Sequence, residues 1–324
     1  MESRLDVLQQ EVLHYKSLSL AKSTQAVYKT HLKTFLRFCC YYGCTPVPVD
    51  QETLCCYVAF LARPLSPSSV SSYLNIIRIL HLDAGLSNPL DSWELSMIKR
   101  GVHRQHGVPP KQKLPITLLI LREIFPLLDH FSSSFDISFW AAYLIGFFGF
   151  FRKSTILPVS ASSPTGICRS DIKNLTDVSF DLVVRHTKTI QFGQRVLILP
   201  FFFCADPRLC PVRALRSHLS INPANIFSYS CGGRLHLVTH SVFVKKLKSL
   251  IASTGRSPID YSAHSFRRGG SSFAFSLNMP LLHVKNRGDW KSNCVERYIC
   301  IDADLSIKIC YASVRRSGVC LSSQ

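Results

Sequence analysis

Apolar residues recur at three- and four-residue steps through the first hundred positions, the spacing of amphipathic helices rather than strands. Val27, Tyr28, Leu32, Phe35, Leu36 and Cys39 form one such stripe, with Ser23 as its expected cap and Gly43 and the Pro46–Pro48 segment as its stop. Asp50 is placed to cap a second helix carrying Leu54, Tyr57, Val58 and Leu61. The Arg63-Pro64…Pro67 turn precedes a third with Val70, Tyr73, Leu74, Ile77 and Leu80, and a short fourth starts near Ser92 with Trp93, Leu95 and Ile98. Residues 1–103 are therefore expected to form a compact domain of four helices. Residues 104–115, RQHGVPPKQKLP, combine three prolines, a glycine and three Lys or Arg residues, which predicts an extended basic linker.

The pattern changes within the second domain, residues 116–324. Helices are expected over 117–129 and 136–152, the latter strongly apolar and ending at Arg152. SFDLVVRHTKT and QRVLILPFF are rich in β-branched and apolar residues on either side of IQFG, which predicts a hairpin with Lys188 on its first strand near the turn. PVRALRSHL and HSVFVKKLKSLIAS read as helices, and two more are expected to carry the His264–Arg267 and Trp290–Tyr298 pairs. Gly269 and Gly270 inside a helix cost about 1 kcal/mol each relative to alanine. They therefore imply a close backbone approach or a break. The expected fold class is mainly α with a small β-sheet: a helical first domain and an α+β second one.

Composition narrows the function. Lysine and arginine number 38 against 20 acidic residues, a net charge of +18 that favours a polyanionic partner, most often nucleic acid. The basic residues of the first domain (Lys22, Lys29, Lys33, Arg37, Arg78, Lys99, Arg100) suit a DNA-gripping face and equally suit ordinary solvated faces. Thirteen cysteines occur with no CxxC pair at zinc spacing, and Cys39, Cys40, Cys55 and Cys56 fall in apolar helical patterns, so reduced core thiols are expected. The start, MESRLDVLQQEVLHYK, is polar and helical and lacks the apolar run of a signal peptide, and the longest apolar stretch, Phe139 to Phe151, is too short to span a bilayer. An intracellular protein without membrane contact is the expectation.

Three runs carry the candidate chemistry: FFGFFRKSTI, AHSFRRGGSSFAF and GDWKSNCVERY. His264 and Arg267, three residues apart, share a helix face, and Trp290 and Tyr298, eight apart, would do so on a second helix. Cationic donors converging on a phenol describe phosphoryl transfer to tyrosine. Guanidiniums offer paired hydrogen bonds to nonbridging phosphate oxygens, which lysine does not do with the same geometry. A lysine near the leaving 5′-oxygen supplies a proton, and a histidine accepts one from a phenol whose ordinary pKa is about 10. Each residue also has a plainer reading. Arg152 is a helix-end cation, Lys188 a solvated lysine, His264 a helix-start residue, Trp290 core and Tyr298 an amphipathic anchor. Arg268 competes with Arg267, and Tyr311 is a rival nucleophile.

Arg152, Lys188, the H-x-x-R of His264 and Arg267, Trp290 and Tyr298 resemble, in order and spacing, the active-site set of the tyrosine recombinase (phage-integrase) family. The wording AHSFRRGG…GDWKSNCVERYI is most similar to recombinases of eukaryotic mobile elements of the Crypton, Ngaro and DIRS kind. The resemblance implies a SAM-like core-binding domain ahead of the catalytic domain. It makes Tyr298 the nucleophile forming a 3′-phosphotyrosyl link, Arg152 and Arg267 the phosphate clamp, Lys188 the acid, His264 the proton carrier, and Trp290 an indole N–H donor in place of a histidine. It implies neither metal nor small-molecule cofactor. The family often has an acid three residues after its first arginine, where this chain has Thr155. Double-stranded DNA is the implied partner, bound by a homotetramer on paired sites. Residues 299–324 are long enough to reach a neighbour or to fold back. Nuclear localisation follows from the same resemblance. A type IB topoisomerase-like monomer and a catalytically idle, transposon-derived DNA-binding protein remain as alternatives.

Overall fold

The computed structural model describes residues 4–109, 111–160, 166–222 and 227–299. The chain divides into two units, Met1–Pro110 and Lys111–Gln324. The first is all-helical, with α1 (Arg4–Leu18), α2 (Lys22–Tyr42), α3 (Gln51–Ala62), α4 (Pro67–Asp83) and α5 (Trp93–His106). The four expected helices are α2 to α5, and the polar, helical N-terminal segment adds α1 as a fifth. Phe35, Phe38, Leu54, Tyr57, Val58, Leu61, Val70, Leu74, Ile77 and Leu95 close one core. Asp50 caps α3 by accepting the Thr53 N–H at 2.7 Å, Ser66 caps α4 ahead of Pro67, and Ser92 caps α5. Ser23 is not a cap. The Ala21 carbonyl already accepts the N–H groups of Thr24 and Gln25, so α2 starts before it. Six of the seven basic residues named above are exposed, and Lys99 is half-buried. Among the four cysteines expected in the core, Cys39 is buried and Cys55 half-buried, but Cys40 and Cys56 face solvent.

Helix α5 runs three residues into the expected linker, since Arg104 and Gln105 favour helix and the first breaker is Gly107. The other half of the linker is held by backbone bonds: Leu114 N–H donates to the Asp260 carbonyl at 2.8 Å and Ile116 N–H to Ser265 at 2.9 Å.

In the second unit, α6 (Leu118–Ile124) gives way to a 3-10 turn over Phe125–Leu127, and α7 (Ser134–Phe148) is the central helix. Every residue from Ile137 to Phe147 in α7 is buried, as a helix apolar on all sides requires. The short α8 (Lys153–Ile156) follows, then β1 (Ile172–Lys173), β2 (Ser179–Val184) and β3 (Leu197–Phe202) in one antiparallel sheet of order β1-β2-β3. Leu182 faces Leu199 and Val184 faces Leu197, and pairing stops there. Lys188 therefore lies in a loop over 185–196, not on a strand. After α9 (Pro211–Ile221) comes a hairpin the periodicity did not suggest, β4 (Ser228–Cys231) and β5 (Arg234–Leu237). Its turn is Gly232–Gly233, both at positive φ, as tight hairpin turns require. Helices α10 (His240–Ser253), α11 (His264–Ser276) and α12 (Leu281–Arg287) complete the unit.

The glycine pair resolves in favour of close approach, because α11 is unbroken. A Cβ on Gly269 would stand 1.7 Å from the Ile116 carbonyl oxygen, and one on Gly270 2.0 Å from that of Phe147. Among the described residues no helix is long and apolar enough to cross a membrane, and no group of three or more His, Cys, Asp or Glu is placed to hold a metal ion.

Candidate active site

Three segments distant in sequence supply the site: the turn after α7, the start of α11, and the stretch after α12. Helix α7 stops at Phe148, capped by Gly149, whose N–H donates to the Ile145 carbonyl at 2.9 Å. Phe150 then adopts a left-handed φ of 52°, uncommon for a bulky residue and costly by about 1 kcal/mol or more. Its buried ring joins Ala274, Val284, Trp290 and Val295 in a small separate core. That packing holds the turn, and the turn aims the Phe150 carbonyl at the Arg267 guanidinium, which donates to it through Nη1. Arg152 is thus not the last residue of the apolar helix. It is the half-buried N-cap residue of α8.

His264 opens α11 and Arg267 follows on the same face. Arg267 is 1% exposed. Its guanidinium carbon lies 3.5 Å from the Trp290 ring centroid and 5.3 Å from that of Tyr298, contacts in which the aromatic faces attract the cation. Its Nε and Nη2 have no hydrogen-bond partner among the described residues. Burial, and secondarily Arg152, push its pKa down to about 9. A buried guanidinium with open donors and no carboxylate of its own is costly unless an anion arrives.

Trp290 and Tyr298 do not share a helix. Helix α12 ends at Arg287, Trp290 lies in the following turn, and Tyr298 closes a 3-10 turn over Asn293–Arg297. Their rings nevertheless meet edge to face at 5.3 Å. Gly288 makes this fit possible, since a Cβ there would fall 1.7 Å from the indole. Trp290 is 5% exposed and its indole nitrogen has no partner among the described residues. The His264 ring lies 6.5 Å from the Tyr298 ring. Desolvation first, then the charges of Arg152, Arg267, Lys153 and Lys188, lower the His264 pKa below 6.5. Arg152 and Lys188 are thereby placed within electrostatic reach of this ring, and Lys188 itself is exposed. None of Arg152, Lys153, Lys188, His264 and Arg267 forms an ion pair among the described residues.

Arg268 occupies a different place from Arg267. It donates to the Arg297 carbonyl at 2.9 Å and to Gln112, tying the segment before Tyr298 to α11. Thr155, at the position where an acid was noted as common, is buried and donates its N–H to the Arg152 carbonyl at 2.9 Å. Tyr311 and the rest of residues 300–324 lie outside the described residues.

A curated relative, an integrase/recombinase XerD homolog of Selenomonas ruminantium, is 26% identical over 294 residues, covering 87% of this chain and 82% of the relative. The chain is thus similar along most of its length to an integrase/recombinase. No model of a protein family matches it. Among solved structures, the chain superposes on the Tn1549 transposon integrase in complex with transposon right end DNA, with a TM-score of 0.59 at 12% identity over 96% of this chain and 98% of that one. It superposes on a lambda integrase dimer bound to a COC′ core site with a TM-score of 0.58 at 13% identity, over 90% and 93% of the two chains. At such identities the likeness establishes the fold.

Two further groups stand beside the site, Lys153 and Asp289, neither of them among the sequence candidates. Lys153 adjoins Arg152 and acts on the His264 ring. Its charge also contributes, after burial, to lowering the pKa of His240, which holds the Leu157 carbonyl at 3.1 Å. Asp289, between Gly288 and Trp290, is buried at a left-handed φ of 54°. The readable signals were the second cation of FFRKST and an acid directly before the tryptophan.

Proposed function

We propose that this protein is a tyrosine recombinase that cleaves and rejoins duplex DNA through a 3′-phosphotyrosyl intermediate. The observation that carries the reading is the buried Arg267. It sits against Trp290 and Tyr298 with Nε and Nη2 unpartnered, and Arg152 lies close enough to depress its pKa. Two guanidiniums without a carboxylate partner among the described residues, beside a phenol, fit a phosphodiester whose nonbridging oxygens gain charge during in-line attack. Tyr298 Oη forms the new bond to phosphorus as the bond to the 5′-oxygen breaks. Lys188 protonates the leaving oxygen, and His264, held neutral by its lowered pKa, takes the phenolic proton. Trp290 covers Arg267 and offers its indole N–H to the phosphate. One phosphoester replaces another, so the reverse reaction seals a strand without an external energy source.

The substrate class follows from the charge of +18 and the exposed basic residues of the helical unit. Of the solved structures named above, the Tn1549 integrase is in complex with transposon right end DNA and the lambda integrase dimer is bound to a COC′ core site. We further assign the chain to integration or excision of a eukaryotic mobile element, acting in the nucleus as a homotetramer on paired DNA sites. The support for this is the wording of the H-x-x-R and GDW runs. The chain is divided for this task into a helical clamp over residues 1–103, a basic linker over 104–115 and a catalytic domain from 116.

The test is a suicide substrate, a duplex nicked so that the released fragment diffuses away. The parent should accumulate a covalent adduct whose mapped peptide contains Tyr298, and Tyr298→Phe should accumulate none. An adduct mapped elsewhere, or equal behaviour of the two proteins, would overturn the proposal.

A further inference from the structure

The loop carrying Lys188 is clamped by a single carboxylate. Asp289 Oδ2 accepts the hydroxyls of Thr187 and Thr189, the residues on either side of Lys188, and its Oδ1 accepts the Arg195 guanidinium from the far end of the same loop. The Asp289 side chain is 3% exposed in that pair. The loop reinforces the arrangement internally. Thr187 Oγ1 accepts the N–H groups of Thr189 and Ile190 at 3.1 and 3.0 Å, Gln191 donates to the Lys188 carbonyl at 2.6 Å, and Gln194 to the Thr189 carbonyl at 3.0 Å. Ile190 is fully buried. Anchoring the residues before and after Lys188 fixes its Cα and the direction in which its exposed side chain leaves the backbone. The cation itself forms no ion pair among the described residues.

We propose that Asp289 is the positioning residue for Lys188: it holds the loop so that the ammonium meets the leaving 5′-oxygen. This inference rests on the strand-cleavage reading above and deepens it. The same residue precedes Trp290, which lies on Arg267. One turn therefore sets the proton donor relative to the phosphate clamp. The left-handed backbone at Asp289 suits Asp or Asn far better than other non-glycine residues. Asp289→Asn thus keeps the backbone and an oxygen for the two threonines while losing the charge that holds Arg195.

The experiment measures single-turnover adduct formation on the suicide substrate in two forms, with either oxygen or sulfur bridging phosphorus and the 5′-carbon. A thiolate leaves without a proton, so a defect confined to proton donation disappears on the sulfur substrate. Lys188→Ala should be slowed on the order of 10²-fold or more with oxygen and restored to near the parental rate with sulfur. Asp289→Asn should show the same pattern in smaller measure. Combining it with Lys188→Ala should slow the oxygen reaction no further, since the lysine it positions is gone. Thr187→Val with Thr189→Val removes the loop's side of the clamp, leaves Asp289 in place, and should give the same signature. That pair decides the matter if Asp289→Asn does not fold.

Parental rates for these variants on oxygen would overturn the inference. Equal slowing on oxygen and sulfur would also overturn it, because the effect would then run through Arg267, Trp290 or the fold. Failure of sulfur to restore Lys188→Ala would remove the lysine from the proton path, sinking the inference while leaving cleavage by Tyr298 intact. Absence of any parental adduct would sink both.

Discussion

Replacing Arg267 with methionine should separate stability from activity. The guanidinium is 1% exposed, donates to one carbonyl and leaves two nitrogens unpartnered among the described residues. Its pKa, down from 12.5 to about 9, corresponds to roughly 5 kcal/mol held against the charged form. Against this relief, Arg267→Met orphans the Phe150 carbonyl, at about 1–3 kcal/mol. The lost cation–π contact with Trp290 is partly replaced by a thioether–aromatic contact of about 1 kcal/mol. The balance is a free protein more stable by roughly 2 kcal/mol, which for a catalytic domain of this size is a Tm higher by about 4–8 °C. Covalent adduct formation should meanwhile fall by at least about 10²-fold, the usual loss when one preorganised donor is removed. Calorimetry and the suicide-substrate trap on the same preparations check both halves. A variant that melts below the parent would mean the cation is satisfied and stabilising, and would refute the reading of a site waiting for an anion. Full retention of cleavage would refute the phosphate clamp.

Two further outcomes follow from particular contacts. Gly269→Ala should destabilise the catalytic domain by about 3 kcal/mol or more, because its Cβ would strike the Ile116 carbonyl 1.7 Å away; an unchanged urea midpoint would refute that packing. The His264 pKa lies below 6.5, with Arg152, Arg267, Lys153, Lys188 and Tyr298 facing the ring. The rate of adduct formation should therefore rise with pH through a midpoint below 6.5, and His264→Gln should abolish that limb. The sign for stability is the same. Between the folded pKa and 6.5 the unfolded chain binds the extra proton, so the parent gains stability as pH rises through that window and loses it as pH falls. A limb that persists in the variant would assign the titration to another group.

Much of this architecture was legible because helices announce themselves locally. Asp50, Ser66 and Ser92 cap helices whose apolar spacing is plain, and the GG of α11 carried its own argument, since a helix accepts that cost only where something presses on it. The misses share one cause. Arg152 followed an apolar run and read as its end, but a helix boundary depends on whether the next residue's backbone fits, and Phe150 leaves the right-handed region. The β2–β3 pairing looked longer than it is, because Thr187 and Thr189 are good strand residues whose hydroxyls are taken by an acid 100 or more positions away. The spacing of Trp290 and Tyr298 matched a helix, yet the rings meet across a turn and a 3-10 segment. Periodicity encodes local conformation; none of these outcomes was local.

The six site candidates were recognisable as residue types in an order, whereas the features that make them a site are contacts among residues unremarkable alone. Gly288, Asp289 and Trp290 show this most clearly. The glycine leaves room for the indole, the indole covers a cation that forms no ion pair among the described residues, and the acid between them is committed to the loop of Lys188. Were Asp289 instead paired with Arg267, which it influences electrostatically, the guanidinium would be satisfied internally and would have less to offer a phosphate. Diverting that carboxylate to Arg195 keeps Arg267 short of an anion while fixing the lysine. On the proposed mechanism, a single turn thus keeps its carboxylate out of an ion pair with the clamp arginine and uses it to hold the loop of the acid.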